Sequence, residues 1–177
     1  IFSFYSMIWQ TSRFALDLTR PCVMGIVNVT PDSFSDGGQH ASTSAALRHC
    51  EKLLADGAHV LDIGGESSRP GALPLPLEDE LARVLPVVRG AVAMGVPVSV
   101  DTYKPEVMRE ALAHGASMIN DIYALRMPGA LDAVARSDCA ICLMHMQGEP
   151  LGMQDGPAYT NVVNTVRAFL EARVAVA

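Results

Sequence analysis

Five apolar segments of the sequence each end in side chains that can bind or polarise a ligand. The first, at residues 24–29, runs into residues 30–38, which carry hydroxyls, carboxylates and an aromatic ring. The polar residues that end or follow the other four segments are Asp62 with residues 64–71, Asp101 with Thr102, Asn120 with Asp121, and His145 with Gln147. Because parallel strands of an α/β fold present functional side chains at their C-terminal ends, we expect these groups to face one common opening.

Helical patterns separate these segments. Apolar residues recur at three- and four-residue spacing in residues 47–54, 81–88, 107–112 and 162–170. This spacing predicts amphipathic helices between the strands. Residues 55–62 also align with residues 113–120, and each copy reads as a helix end, a glycine C-cap, a strand and a polar tip. The repeated βα order predicts an α/β fold with a parallel sheet.

Two architectures fit such a sheet, a (β/α) TIM-type barrel and a doubly wound sheet. A doubly wound nucleotide fold usually has a tight glycine fingerprint after its first strand, whereas residues 30–38 form a long, acidic, hydroxyl-rich loop. We therefore predict the barrel. Eight βα units need roughly 250 residues, and this chain has 177. We expect about five βα units and a truncated barrel, with an N-terminal extension at residues 1–20 and the incomplete barrel domain at residues 21–177.

The composition excludes several functional classes. Half of the residues are hydrophobic, and 19 acidic against 13 basic residues give a net charge of −6 without a basic block. Nucleic acid is therefore not an expected partner. The aromatic-rich N-terminal stretch is too short to span a bilayer and lacks a basic flank and a cleavage site, so we expect a cytoplasmic protein without a membrane partner.

The cysteines predict neither a metal site nor a disulfide framework. The spacing of Cys139, Cys142 and His145 resembles a set of metal ligands, but neighbours in this series would lie on opposite faces of one strand. Core packing is therefore the expected role of these cysteines, and also of Cys22 and Cys50.

A series of distinctive motifs runs from about residue 21 to residue 159. They are NVTPDSFSDGG at residues 28–38, GGESSRPG at 64–71, SVDT at 99–102, INDI at 119–122 and CLMHMQG at 142–148. In this order they resemble the dihydropteroate synthase family, the folate-pathway enzymes that sulfonamides inhibit. The resemblance implies an eight-stranded (β/α) barrel and a transferase that uses Mg²⁺. Its reaction joins the methylene carbon of dihydropterin diphosphate to the amine of p-aminobenzoate and expels diphosphate. Whether the full-length form is a homodimer is left open.

Recognition of the pterin ring falls to Asp101 and Asn120. The ring edge shows adjacent N–H donors beside a carbonyl, so a buried carboxylate can accept two hydrogen bonds while an amide matches donor to acceptor. The alternative for Asp101 is a helix N-cap before Pro105, and the alternative for Asn120 is a turn-forming residue.

The resemblance assigns further substrate contacts. Ser68, which is usually threonine in the family, would help to hold the pterin diphosphate, and Arg69 would bind diphosphate or stack on a ring. Phe34 and Pro70 resemble walls of the p-aminobenzoate pocket. The remaining two assignments are Met144 as a residue that packs on the pterin, with core packing as its alternative, and Asn28 as the Mg²⁺ ligand.

Two other functions stay open at this point. One is a pterin-binding methyltransferase domain, against which the long loop at residues 30–38 and the turn at residues 68–70 argue. The other is a truncated, non-catalytic pterin-binding fragment. The family's remaining aspartate, lysine and Arg-x-His groups would lie beyond residue 177, so catalysis by this chain alone is in doubt.

Overall fold

A computed structural model describes residues 7–29, 38–66 and 74–177 of the chain. It begins with a short antiparallel hairpin of β1 (Ile8–Gln10) and β2 (Ala15–Asp17). Five parallel strands follow: β3 (Met24–Asn28), β4 (Val60–Gly64), β5 (Val98–Asp101), β6 (Met118–Asp121) and β7 (Ala140–Leu143). The five strands predicted from the apolar segments are therefore confirmed.

The helices lie between and after these strands. They are α1 (Gly38–Ala55), α2 (Leu77–Ala93), α3 (Pro105–Ala113), α4 (Ala130–Val134) and α5 (Val162–Val174). All four predicted helical patterns fall within α1, α2, α3 and α5, whereas α4 has five residues and was not predicted. None of the helices in the described ranges is long and apolar enough to cross a membrane.

Strand order identifies the type of sheet. The strands lie side by side in the sequence order β3-β4-β5-β6-β7, and every neighbouring pair is parallel. A doubly wound sheet reverses its strand order at a switch point, and no such reversal occurs among the described strands. The described residues therefore form five consecutive βα units wound in one direction, as the barrel prediction requires.

The predicted repeat of helix, glycine and strand is also present. Gly57 ends α1 with a backbone φ of +104°, and Gly115 follows α3 with a φ of +96°. Only glycine adopts this left-handed conformation at little cost, so both positions end a helix and redirect the chain. The next residues enter β4 and β6, respectively.

The two faces of the sheet bury different partners. Alternate residues on one face, among them Val27, Ile63, Val100 and Ile119, are fully buried in the main hydrophobic core that includes the helices. The apolar packing on the opposite face lies near the N-terminal ends of the strands. There Val60, Met118 and Ala140 pack with Met24 and with two hairpin residues, Trp9 and Leu16. The β1-β2 hairpin therefore covers the N-terminal end of this face, and the C-terminal end is left for polar groups.

Candidate active site

One row of register partners crosses the C-terminal ends of all five strands, and four of them carry side chains with polar or sulfur atoms. The strand register places Asn28 beside Gly64, Gly64 beside Asp101, Asp101 beside Asn120, and Asn120 beside Cys142. Register partners in a parallel sheet point to the same face. The structure therefore brings Asn28, Asp101 and Asn120 together at one opening.

Gly64 leaves space between two of these side chains. A methyl group at this position would lie 3.6 Å from Asp101 Oδ2 and 3.9 Å from Asn28 Oδ1. The missing side chain keeps open a polar gap bounded by a carboxylate and an amide oxygen.

Asp101 is surrounded by other acids rather than by cations. Burial raises its pKa to about 7, and the negative charges of Asp62, Glu80, Asp121 and Glu66 add to the effect. No salt bridge to Asp101 forms within the described ranges. The carboxyl group is thus held near the point where it gains or loses a proton at neutral pH, and N–H donors of a ligand would favour its ionised form.

Asn120 is fixed by Asp62, which lies one layer deeper on the same face. The Asn120 amide Nδ2 donates to Asp62 Oδ2 at 3.1 Å. Asp62 is only 3% exposed, and its Oδ1 has no hydrogen-bond partner among the described residues. Burial raises the pKa of Asp62, and Ser99 and Asn120 oppose this rise.

A buried network holds the segment that follows Asp101. The Thr102 hydroxyl donates to Glu80 Oε1 at 2.6 Å, and Lys104 forms ion pairs with both Glu66 and Glu80. Burial disfavours the Lys104 charge, but its hydrogen bonds to the two glutamates outweigh this and raise its pKa. Tyr103 donates to Glu66 Oε1 at 2.8 Å. The network joins the ends of β4 and β5 to α2.

A second buried carboxylate shapes the segment after Asn120. Asp121 accepts hydrogen bonds from the backbone N–H groups of Tyr123, at 2.8 Å, and Leu125, at 2.7 Å. Ala124 and Leu125 have φ angles of +53° and +57°, which side chains other than glycine rarely adopt. Arg173 of α5 donates to the carbonyl oxygens of both residues. This turn is held from two sides, by Asp121 and by the helix that follows β7.

The residues at the end of β7 separate into two groups. Met144 is partly buried, and its backbone N–H donates to Asp121 O at 3.4 Å. The His145 ring contacts Tyr159 and Phe169, with centroid distances of 5.9 and 5.0 Å. His145 therefore packs in an aromatic cluster against α5.

The expected core packing of Cys142 is wrong. Cys142 is exposed and pairs in register with Asn120, so it lies on the polar face rather than in the core. Burial raises the pKa of the Cys142 thiol, and the charges of Asp62 and Asp101 raise it further, so the protonated thiol is favoured. Strand alternation alone could not tell which face was covered.

The alternatives for two predicted site residues are now excluded. The N-cap of α3 is Lys104, without a side-chain cap, so Asp101 does not cap this helix. Asn120 lies inside β6 and bonds to Asp62 instead of forming a turn. Four predicted site residues lie outside the described residues: Phe34, Ser68, Arg69 and Pro70.

Sequence reasoning placed Asp62 at the common opening without a role, and it missed Glu80 and Lys104. The alternation of β4 could have placed Asp62 on the face of Gly64, two residues later. Glu80 offered no such signal, because it resembled the acidic residues common in a first helical turn.

The Mg²⁺ that the resemblance implies is compatible with these residues. Mg²⁺ prefers hard oxygen ligands and usually combines one or two protein groups with water and substrate phosphates. The exposed Asn28 amide beside the gap at Gly64 offers one such oxygen. No cluster of three or more His, Cys, Asp or Glu ligands occurs among the described residues, so an all-protein metal cage is not present there.

Comparisons with known proteins agree with this geometry. The sequence model of a family described as pterin binding enzyme matches residues 24–177. Dihydropteroate synthase of Escherichia coli K12 is 51% identical over 162 residues, which cover 91% of this chain and 57% of that protein. The structure of Burkholderia cenocepacia dihydropteroate synthase with 7,8-dihydropteroate is similar with a TM-score of 0.86 and 51% identity, over 98% of this chain and 59% of that one.

A third relative carries a different ligand. The structure of Xanthomonas albilineans dihydropteroate synthase with 4-aminobenzoic acid is 57% identical with a TM-score of 0.82, over 92% of this chain and 58% of that one. This chain thus spans less than two thirds of the length of these relatives. The solved relatives are TIM-barrel enzymes, which confirms the predicted barrel class. The family match covers most of the chain, and the chain belongs to the pterin-binding enzyme family.

Proposed function

We propose that this chain provides the pterin-recognising part of a dihydropteroate synthase. The reaction condenses dihydropterin-CH₂-diphosphate with p-aminobenzoate and yields 7,8-dihydropteroate and diphosphate. The observation that carries the proposal is the pair of Asp101 and Asn120 at neighbouring strand ends, beside an open gap at Gly64. Bound 7,8-dihydropteroate and 4-aminobenzoic acid in the solved relatives support the same substrates.

Asp101 binds the N–H donors of the pterin ring. Its acidic surroundings leave the carboxylate without a cation in the described part of the chain, so ligand N–H groups are the partners that satisfy it. Asn120 pairs with the adjacent ring atoms through its amide. A ring without these donors leaves the two side chains unpaired, and such sites discriminate strongly against ligands that lack the matching groups.

The remaining substrate contacts follow the family resemblance. Arg69 and Ser68 hold the diphosphate, Phe34 and Pro70 border the p-aminobenzoate, and Met144 packs on the pterin. Asn28 is the protein ligand of Mg²⁺, which neutralises negative charge on the diphosphate when bound. The chain's own residues bind and orient the two substrates, and no covalent enzyme intermediate is needed.

Binding and turnover test the proposal separately. Titration calorimetry with dihydropterin-CH₂-diphosphate and Mg²⁺ measures recognition, and a product assay with p-aminobenzoate measures chemistry. Asp101→Asn places an N–H against ligand donors, so we expect affinity to fall by about tenfold or more. Asp138→Asn is the matched control, because Asp138 is exposed and lies before β7, at the opposite end of the sheet. Unchanged pterin affinity in Asp101→Asn would refute the assigned role.

The product assay distinguishes an enzyme from a binding fragment. Pterin binding without dihydropteroate formation, even when the C-terminal part of the Escherichia coli relative is added, would support the non-catalytic alternative, in which this chain recognises the ring but does not take part in the reaction. A cytoplasmic location belongs to the same proposal, and fractionation of cells that express the protein would test it.

A further inference from the structure

Asp62 is a buried acid that the proposed reaction does not use directly. It lies in the middle of β4 on the same face as Gly64, one layer below the row that contains Asp101 and Asn120. Its neighbours in register are Ile26 and Ser99. Asp62 is therefore further from the opening than Asp101, yet it belongs to the same polar face.

The retention of a carboxyl group at this depth needs a reason. One oxygen of Asp62 is buried without a hydrogen-bond partner among the described residues, which destabilises the folded state. No salt bridge to Asp62 forms within the described ranges. Its polar side-chain neighbours are Ser99, which helps to lower its pKa, and Asn120, whose amide donates to Asp62 Oδ2 at 3.1 Å.

That contact determines which way the Asn120 amide points. The carboxylate of Asp62 only accepts hydrogen bonds, so it selects the Nδ2 end of the amide, which donates at 3.1 Å. The amide is planar, and its Oδ1 consequently points away from Asp62. Without a fixed partner, the oxygen and nitrogen ends of an asparagine are close to interchangeable in shape and can swap places.

We propose that Asp62 is a positioning residue that locks the Asn120 amide in one orientation and thereby selects the ring edge that this amide can bind. The inference rests on the proposed function. The locked amide offers its oxygen to an exocyclic amino group and its second N–H to the adjacent ring nitrogen, which is the pattern of a 2-amino-pteridine. A 2-oxo-pteridine presents a carbonyl beside a ring N–H and matches only the opposite orientation.

Substitution of Asp62 tests this role by ligand selectivity. The probes are a 2-amino-4-oxo-pteridine and its 2,4-dioxo analogue, titrated into the protein by calorimetry or fluorescence. The wild type should prefer the 2-amino ring by about tenfold or more, because both Asp101 and Asn120 favour it. In Asp62→Asn the Asn120 amide can turn either way, so the ratio should fall several-fold, to the preference that Asp101 alone provides. Ser99→Ala alters the other polar neighbour of Asp62 and should keep the wild-type ratio. A purely structural role would weaken both ligands equally.

Nuclear magnetic resonance tests the orientation without any ligand. In the wild type, one side-chain amide proton of Asn120 should exchange slowly and shift downfield because it is bonded to Asp62. Both signatures should weaken in Asp62→Asn, whose amide oxygen can still accept the bond in one of its two orientations, and disappear in the shorter variant Asp62→Ser. The second variant keeps the test valid if the first one misfolds. An unprotected Asn120 amide in the wild type, or wild-type selectivity in both variants, would overturn the inference.

The two experiments also separate this inference from the proposed function. A protected Asn120 amide in a protein that binds neither pteridine would support the locked orientation and overturn both the pterin site and the selectivity assigned to it. A preference for the 2-amino ring that falls several-fold in both Asp62 variants would support the function and the positioning role together.

Discussion

Replacement of Asp101 by asparagine should stabilise the folded protein at neutral and alkaline pH while it weakens pterin binding. Asp101 lies among four other carboxylates, and its pKa is raised from 3.8 to about 7, first by burial and then by their negative charges. The folded state therefore resists ionisation of this residue. An asparagine keeps the shape, carries no charge and can donate N–H groups to the surrounding acids.

The direction of the pH dependence follows from proton binding. In the unfolded chain Asp101 loses its proton near pH 3.8, whereas in the folded protein it keeps it until about pH 7. Between these values the folded state binds more protons, so the contribution of Asp101 to the free energy of unfolding falls as pH rises. The rise of about three units in the pKa corresponds to a loss of about 4 kcal/mol in the free energy of unfolding, which is an upper limit for a partly exposed group.

Urea unfolding at several pH values measures this effect. The stability gain of Asp101→Asn over the wild type should be small near pH 4, grow up to about pH 7 and then level off at about 2 to 4 kcal/mol. Asp138→Asn makes the same chemical change at an exposed position and should stay within about 0.5 kcal/mol of the wild type. A gain that does not depend on pH, or a loss of stability at pH 8, would refute the electrostatic reasoning.

Three further predictions concern Gly64, α5 and the extent of the chain. Gly64→Ala should change the free energy of unfolding by less than about 1 kcal/mol but weaken pterin binding by about tenfold, since the methyl enters the gap beside Asp101. In Gly65→Ala the methyl would lie 2.6 Å from Val84, so this variant should destabilise the folded protein by about 1–3 kcal/mol in a thermal melt. Arg173→Gln should speed the exchange of the α5 backbone amides, because it breaks two hydrogen bonds to carbonyl oxygens. Arg167→Gln loses only an exposed ion pair with Glu171 and should leave this exchange unchanged. Equal amide protection in both variants would contradict this prediction. The 177-residue chain alone should make no dihydropteroate. The separately expressed C-terminal part of the Escherichia coli relative should restore product if it packs against this chain. Turnover by the chain alone would show that its own residues suffice.

The repeating part of the fold could be predicted because its period is local. Apolar strands and amphipathic helices alternate within a few residues of each other, and Gly57 and Gly115 mark equivalent points in two units. Two elements lacked such a signal. The five residues of α4 are too few to show helical periodicity, and the β1-β2 hairpin is defined by its packing against the sheet rather than by its own pattern.

The candidate site was predictable as a position but not as a network. Asp101 and Asn120 both end a strand, and parallel pairing brings such ends together whatever the intervening sequence. The bond from Asn120 to Asp62 joins residues 58 positions apart, and only the register of three strands decides that they meet. The exposure of Cys142 likewise depends on which face the helices and the hairpin cover.

The acids of this site are of two kinds, and the difference indicates what the site binds. Glu66 and Glu80 share the Lys104 ammonium, so a cation balances part of their charge, and they lie outside the row of strand ends. Asp62 and Asp101 have no cation in the described part of the chain, and burial raises the pKa of both. A buried carboxylate without a cation is satisfied by neutral N–H donors. Asn120 already provides such a donor to Asp62. A ring edge rich in N–H groups would provide such donors to Asp101 without adding a charge that the site would have to desolvate, which fits the proposed pterin ligand.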